Sequence, residues 1–247
     1  MRVLIAGESW MTHSIHVKGF DSFTTSSYHE GVGPLRKALE ATGHPVTYLP
    51  NHRAADEFPL SAADLGAFDV VILSDIGVNT LLLPDRTFSA SERTANRPML
   101  LRDFVRAGGG LLMVGGYLTF QGIEGKAGYH GTPVEEVLPV ILQSTDDRVE
   151  SPEGVVPEIV ASSHPILQQL SGWPHFLGYN RAQLKPGAQL LAKVGQDPFI
   201  AVMECGKGRS AIFASDCGPH WGPPAFVAWG GYQPLWDRLV RWLGRAL

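Results

Sequence analysis

The chain has 247 residues, a formal net charge of -4 and an isoelectric point near 6.1, so it offers no basic surface to nucleic acid or to an anionic membrane. No stretch approaches the ~18 uninterrupted apolar residues of a membrane span, and the opening MRVLIAGES is broken too soon for a secretory leader. Cys205 and Cys217 alone make no disulfide framework, so a reducing cytoplasm is the expected setting.

The length suits one α/β domain over residues 1–247. Arg2 to Ala6 reads as a short buried strand that ends at Gly7. Glu8 to Phe20 follows as a long polar loop holding Ser9, Trp10, His13, His16 and Lys18. In a parallel sheet, ligands bind beyond the carboxyl ends of the strands, where this loop lies. Gly33-Pro34 opens a helix with Leu35, Ala38 and Leu39 on one face, and Gly43 closes it. Pro45–Leu49 and Phe68–Ser74 are the next strands. Asp75 stands at the end of the latter, as a turn cap or a ligand contact. Residues 76–97 form an irregular excursion, and Met99–Ala107 has helical spacing.

Gly109 to Gly122, GGLLMVGGYLTFQG, is the organising stretch. Leu111 to Val114 is apolar throughout, as a strand covered on both faces requires. Gly115-Gly116 then permits a sharp turn, with Tyr117 at the bend and a helix expected to start there. A strand, tight turn and helix start present one side chain and free backbone N–H groups at the mouth of a sheet. Gly116, Thr119 and Phe120 join Tyr117 as candidates. The loop 125–133, with His130, is flexible and is either a lid over the site or a plain connection, and 133–138 reads as a short helix.

Residues 140–161 alternate weakly and suggest an antiparallel extension. Ser163 to Leu167 reads as a turn into a helix. The segment 178–182 places Tyr179 and Asn180 toward a cleft. Residues 188–194 and 198–204 are strands, and 205–209 a hairpin turn whose GKGR lacks P-loop spacing. Ser210–Ser215 is the last buried strand. Asp216-Cys217-Gly218-Pro219-His220-Trp221 follows it at once, gathering an acid, a thiol, an imidazole and an indole. Tyr232–Ala246 is an amphipathic helix.

The segments GESW, GGYLTFQG, HPIL and the run from GKGR to DCGPHW together resemble the class I glutamine amidotransferase-like superfamily, in an uncharacterised cytoplasmic branch. The resemblance implies a mostly parallel, flavodoxin-like α/β sheet with helices on both faces and an antiparallel extension toward the C-terminus. Members with the full triad carry a cysteine in a G-x-C-x-G elbow and a histidine and glutamate after a late strand. Here the elbow is Gly115-Gly116-Tyr117-Leu118-Thr119, and residue 222, two beyond His220, is glycine. Glutamine hydrolysis through a thioester is therefore not expected. A phenol of pKa ~10 is a poor nucleophile toward amides.

Glu8, Tyr117, His220 and Asp216 are the candidate acid/base residues, with Asp216 orienting His220 and the amides after Gly116 as oxyanion donors. Aromatic and polar groups, including Trp221, suit a sugar-like or other polar ligand. No cofactor and no metal are assigned: His13/His16 and Cys217/His220 are spaced i,i+3 but form no recognised zinc motif. Cys217 reads as a small apolar residue at a strand end. The expected partner is a small molecule, and the aromatic loop from Trp221 to Tyr232 suggests a homo-oligomer. Enzyme, binding module and assembly module remain open at this point.

Overall fold

A computed structural model describes all residues, 1–247. An eight-stranded sheet carries the molecule. Its strands are β1 (Val3–Gly7), β4 (Val46–Leu49), β5 (Val70–Ser74), β6 (Gly110–Val114), β9 (Glu158–Ile159), β12 (Gln189–Val194), β13 (Asp197–Cys205) and β14 (Gly208–Phe213). They lie in the order β4-β1-β5-β6-β14-β13-β12-β9. The pairs from β4 to β14 are parallel, and those from β14 to β9 antiparallel. The expected α/β fold with its antiparallel extension is present. The remaining strands, β7 (Val140–Leu142), β8 (Arg148–Val155), β10 (Phe176–Asn180) and β11 (Ala182–Leu184), form two small antiparallel pairs, β8/β10 and β7/β11.

The central strands β1, β5 and β6 are buried at every residue, which explains their unbroken apolar runs. Helix α1 (Gly33–Ala41) turns Leu35, Ala38 and Leu39 inward and packs on the C-terminal helix. Helices α2 (Asn51–Glu57), α3 (Ala62–Leu65), α4 (Val78–Leu82), α5 (Asp85–Phe88) and α6 (Arg97–Ala107) precede β6. The stretch 76–97, expected to be irregular, thus contains two short helices. Helix α7 (Pro133–Val137) starts under a Thr132 cap, as expected. After β14 come α8 (Pro224–Ala228) and α9 (Tyr232–Leu243), the latter three residues shorter than its spacing suggested.

Four expectations are corrected. Residues 8–20 are not a loop: Ser9–Lys18 (β2) and Asp21–Glu30 (β3) pair in continuous register as a long hairpin. Ten-residue runs rich in Thr, Ile, Val and aromatics flank the two-residue turn Gly19-Phe20, and Gly19 takes the positive φ of +66° that such turns require. No helix follows the elbow. Residues 115–122 stay in turns, drawn back because Gly122 and Gln121 donate their N–H groups to buried Asp147. Residues 163–167 form turns without a helix. The supposed lid is anchored: Tyr129 is fully buried and its hydroxyl donates to Ile76 O at 2.7 Å.

The aromatic loop near the C-terminus is also not a surface. Trp221, Phe226 and Tyr232 are buried, and Phe226 joins Phe176, Phe199, Phe213 and Trp236 in one cluster of rings under the antiparallel strands. The apolar surface that suggested self-association at 221–232 is spent on this core. Phe213 sits at the cluster's centre, in contact with four of those rings. Phe213→Ala should lower stability by about 3–5 kcal/mol, read from urea unfolding, because the rigid neighbouring rings cannot collapse into the space.

Candidate functional site

Three parallel strands end in acids. β1 runs into Glu8, β5 into Asp75, and β14 runs through Ala214-Ser215 into Asp216, while β6 between them ends in the elbow. The parallel register brings these ends to one edge of the sheet. Glu8, Trp10, Asp75, Tyr117, Asp216 and His220, with Leu118, Ile123 and Pro219, line one open pocket of about 450 Å³. A larger hollow of about 580 Å³ lies at the opposite end of the sheet, beside Met1, Asp69, Phe104 and Gly109. It gathers no acid and base in contact, so the first pocket is the candidate site.

Both Glu8 and Asp75 hold left-handed backbone, with φ of 50° and 47°. For residues with a Cβ this is a strained conformation, and it turns each carboxyl over the strand ends. Ser74 Oγ donates to Glu8 Oε2 at 2.5 Å, and Cys217 lies buried against the same pair, 3.9 Å from Ser74 Oγ. Asp75 accepts the Leu118 N–H at 2.7 Å, and the Tyr117 amide faces it too. Asp216 Oδ2 accepts from His220 Nδ1 and from the Trp221 N–H, each at 2.9 Å. Gly116 fits between two of these acids: a Cβ there would lie 2.9 Å from Asp216 Oδ1 and 3.1 Å from Asp75 Oδ1. Its φ of +152° is the second reason for glycine at this position.

Burial first, and the charges of Asp75 and Asp216 second, push the Glu8 carboxyl up to about 8. Burial, then Asp216, pushes Asp75 up to about 6. The hydrogen bond to Asp216 raises His220, against the opposing effect of its own burial. Since a carboxylate only accepts, Nδ1 carries the proton, and Nε2, which has no protein partner, is the free basic atom. At neutral pH the pocket thus holds a protonated Glu8 and a mostly ionised Asp75, and Asp216 favours the protonated form of His220.

Tyr117 is at the elbow, with its ring edge-on to His220 at 4.4 Å between centroids. Its hydroxyl, however, donates to Glu150 Oε1 at 2.9 Å, away from the acids. The Trp221 Nε1–H takes the other Glu150 oxygen, and the Arg148 guanidinium covers the Tyr117 ring. Burial and this bond raise the phenol's pKa. The expected oxyanion donors are occupied as well: Gly116 N–H goes to Asn180 Oδ1 and Leu118 N–H to Asp75. Asn180 also donates to Gly116 O and Asp147, so it fixes the elbow from behind.

Other candidates stand elsewhere. Ser9 is buried at the hairpin base, where its hydroxyl accepts the Asn51 N–H. His13, His16 and Lys18 are out on the exposed hairpin, where His13 bonds Ser26 and His16 stacks on Phe23. Thr119 is buried and donates to Val114 O, and Phe120 is core. His130 is exposed beside Glu135, 3.6 Å away. The Tyr179 hydroxyl donates to Asp197, not into the pocket. Trp221 packs behind Tyr117. Glu150, Arg148 and Asp147 escaped the sequence reading, since a turn-and-strand segment of alternating charge carries no signal that it faces an elbow 30 residues earlier. No group of three His, Cys, Asp or Glu side chains has metal-holding geometry.

A family model described as "Putative glutamine amidotransferase" (GATase1_like) matches residues 2–245. The chain belongs to this glutamine amidotransferase-like family. Two family-sized structures from Salmonella typhimurium resemble it throughout. Cytoplasmic protein STM3548 is 44% identical over 98% of this chain and 99% of its own, with a TM-score of 0.96. Cytoplasmic protein STM1381 is 44% identical with the same coverage and a TM-score of 0.95. A ThuA-like protein of Parabacteroides merdae shares the fold alone, at 12% identity over 98% of this chain and 89% of its own, with a TM-score of 0.56. No functionally curated protein matches the sequence.

The raised Glu8 has a measurable consequence. Its folded pKa of about 8 lies above the unfolded value of 4.5, so the folded state holds the extra proton between those limits and loses stability as pH rises through them. Glu8→Gln removes this dependence. Its melting temperature relative to the parent should climb steadily from pH 5 to pH 9, each kcal/mol moving Tm by about 2–4 °C at this chain length. Equal pH profiles for the two proteins would show that Glu8 ionises normally.

Proposed function

We propose that the pocket is an acid/base site for a small, polar, neutral or cationic molecule, and that the chain does not hydrolyse glutamine. The observation that carries this reading is the position of Asp75. Its carboxylate accepts the elbow amides that an acyl-transfer enzyme keeps free for an oxyanion. A negative charge there opposes the charge that a tetrahedral intermediate develops. The elbow has a phenol in place of a thiol, and Cys217 is fully buried, its thiol pushed up by burial and by Glu8.

The pocket suits other chemistry. Glu8 keeps a proton at neutral pH and can donate it as a general acid. His220, oriented through Nδ1 by Asp216, offers Nε2 as the base. Two titrating groups with environments that separate their roles are the usual mark of paired acid and base. Asp75, mostly ionised at neutral pH, disfavours anions, while the faces of Trp10 and Tyr117 suit a sugar ring or an alkylammonium group. Hydrolysis of a sugar-like substrate is one reaction of this class. A non-catalytic binding pocket is the second reading, favoured by the commitment of the Tyr117 hydroxyl to Glu150. We take residues 1–247 as one domain, supported by a family match from 2 to 245 and one continuous core. A cytoplasmic location is proposed from the description of both Salmonella relatives.

A thermal-shift screen of polyols, amines, amides and carboxylates tests the ligand class. Polyols or amines should stabilise the parent, and Asp216→Asn should abolish the shift; stabilisation by carboxylates alone would sink the reading. Conversion of a hit, followed by proton NMR, separates catalysis from binding: an enzyme should lose at least 100-fold in rate as His220→Ala. Glutamine should release no ammonia above background, and release abolished in Cys217→Ala would restore a thiol mechanism.

A further inference from the structure

The hairpin β2/β3 stands out from the body of the molecule. Every residue of β3 is exposed, as is nearly all of β2, and the hairpin's extensive contacts are those between its own strands. It carries Met11, Ile15, Val17, Phe20, Phe23 and Tyr28 into solvent, with Phe20 fully exposed at the tip. A two-stranded ribbon with no covered face is marginal in water. Its edges are also unguarded. Neither strand contains proline, the register runs from Ser9↔Glu30 to Lys18↔Asp21 without a bulge, and the only Lys, Asp and Glu side chains are at the strand ends. Natural proteins blunt long free edges unless they use them.

We propose that this hairpin is a dimerisation arm, whose β2 edge pairs with the β2 edge of a second copy in an antiparallel, two-fold arrangement. Charge selects the edge. β3 has an acid at each end, Asp21 and Glu30, so antiparallel pairing of β3 edges would bring them together. β2 has Lys18 at its far end and no acid, so antiparallel pairing sets Lys18 near Trp10 of the second copy, a favourable cation and aromatic pair. The length fits as well: ten residues reach about 33 Å at ~3.3 Å each, enough for a continuous ladder along the whole edge of both copies. The arm's small net charge, from Lys18 against Asp21 and Glu30, gives no hold on nucleic acid or an anionic bilayer. A two-fold interface is also the commonest closed symmetry. Because Trp10 at the arm's base lines the pocket, the dimer would hold one pocket wall in place in each copy.

Sedimentation and light scattering of the full chain at micromolar concentration test the assignment. The parent should be a dimer. Ile15→Lys with Val17→Lys should yield a monomer with an unchanged far-ultraviolet spectrum, and so should replacement of Met11–Tyr28 by a two-glycine turn. In a Cys205→Ser background, His13→Cys near the middle of β2 should form a disulfide-linked dimer on mild oxidation, whereas Thr25→Cys on β3 should not. A monomeric parent, a dimer that survives removal of the arm, or cross-linking through Thr25→Cys alone would each overturn the proposal.

Discussion

The geometry of the site depends on the carboxylate of Asp75. It receives the amide N–H groups of the elbow after β6, and in doing so it holds the turn open where the sequence suggested a helix. Gly116 fits beneath it because no Cβ intervenes between Asp75 and Asp216. Asn180 and Asp147 close the turn from the other side with four hydrogen bonds to the backbone of Gly116, Gln121 and Gly122. The elbow is thus held between Asp75 on one side and Asn180 and Asp147 on the other. In an acyl-transfer enzyme the same place must stay empty and electropositive. One acid at the end of β5 therefore takes up the elbow amides that would otherwise face an anion, without any change of fold.

The fold was largely legible because its central strands are short, apolar and punctuated by glycine. β1, β5 and β6 are buried along their length and β14 from Ser210 to Phe213, so their hydrophobic runs stood out, and each was followed by a residue with chemistry. That logic placed Glu8, Tyr117 and His220 at one edge of the sheet, and the structure lines one pocket with them together with Asp75 and Asp216. It failed where a segment's partners are distant or absent. The hairpin 9–30 buries neither face, so it shows no hydrophobic alternation that would separate it from a loop. Polar residues clustered there, His13, His16 and Lys18, gave a false impression of a site. Thr119, Phe120 and Tyr179 were close in sequence to the pocket but point into the core or toward Asp197. Glu150 was unreadable because its role arises only when β8 lies across the elbow.

The family relationship and the departures from it have a common physical basis. The parallel sheet supplies a row of strand ends, and the residues placed there decide the chemistry. In this chain the row carries acids, and the thiol sits one layer deeper, where Cys217 is packed against Ser74 and Glu8. Burial pushes the pKa of the Cys217 thiol up and does the same to the neighbouring Glu8 carboxyl, because both effects come from excluding water from a charged form.

The left-handed backbone at Glu8 and Asp75 sets stability against the chemistry of the pocket. Each such residue costs about 1 kcal/mol or more that glycine at the same position would not. The same left-handed backbone occurs at Ser91, Phe120, Glu124, Gln169 and Arg245 outside the pocket, but at Glu8 and Asp75 it sets a pocket carboxyl at the end of a central strand, so glycine there would relieve strain only by deleting an acid from the pocket.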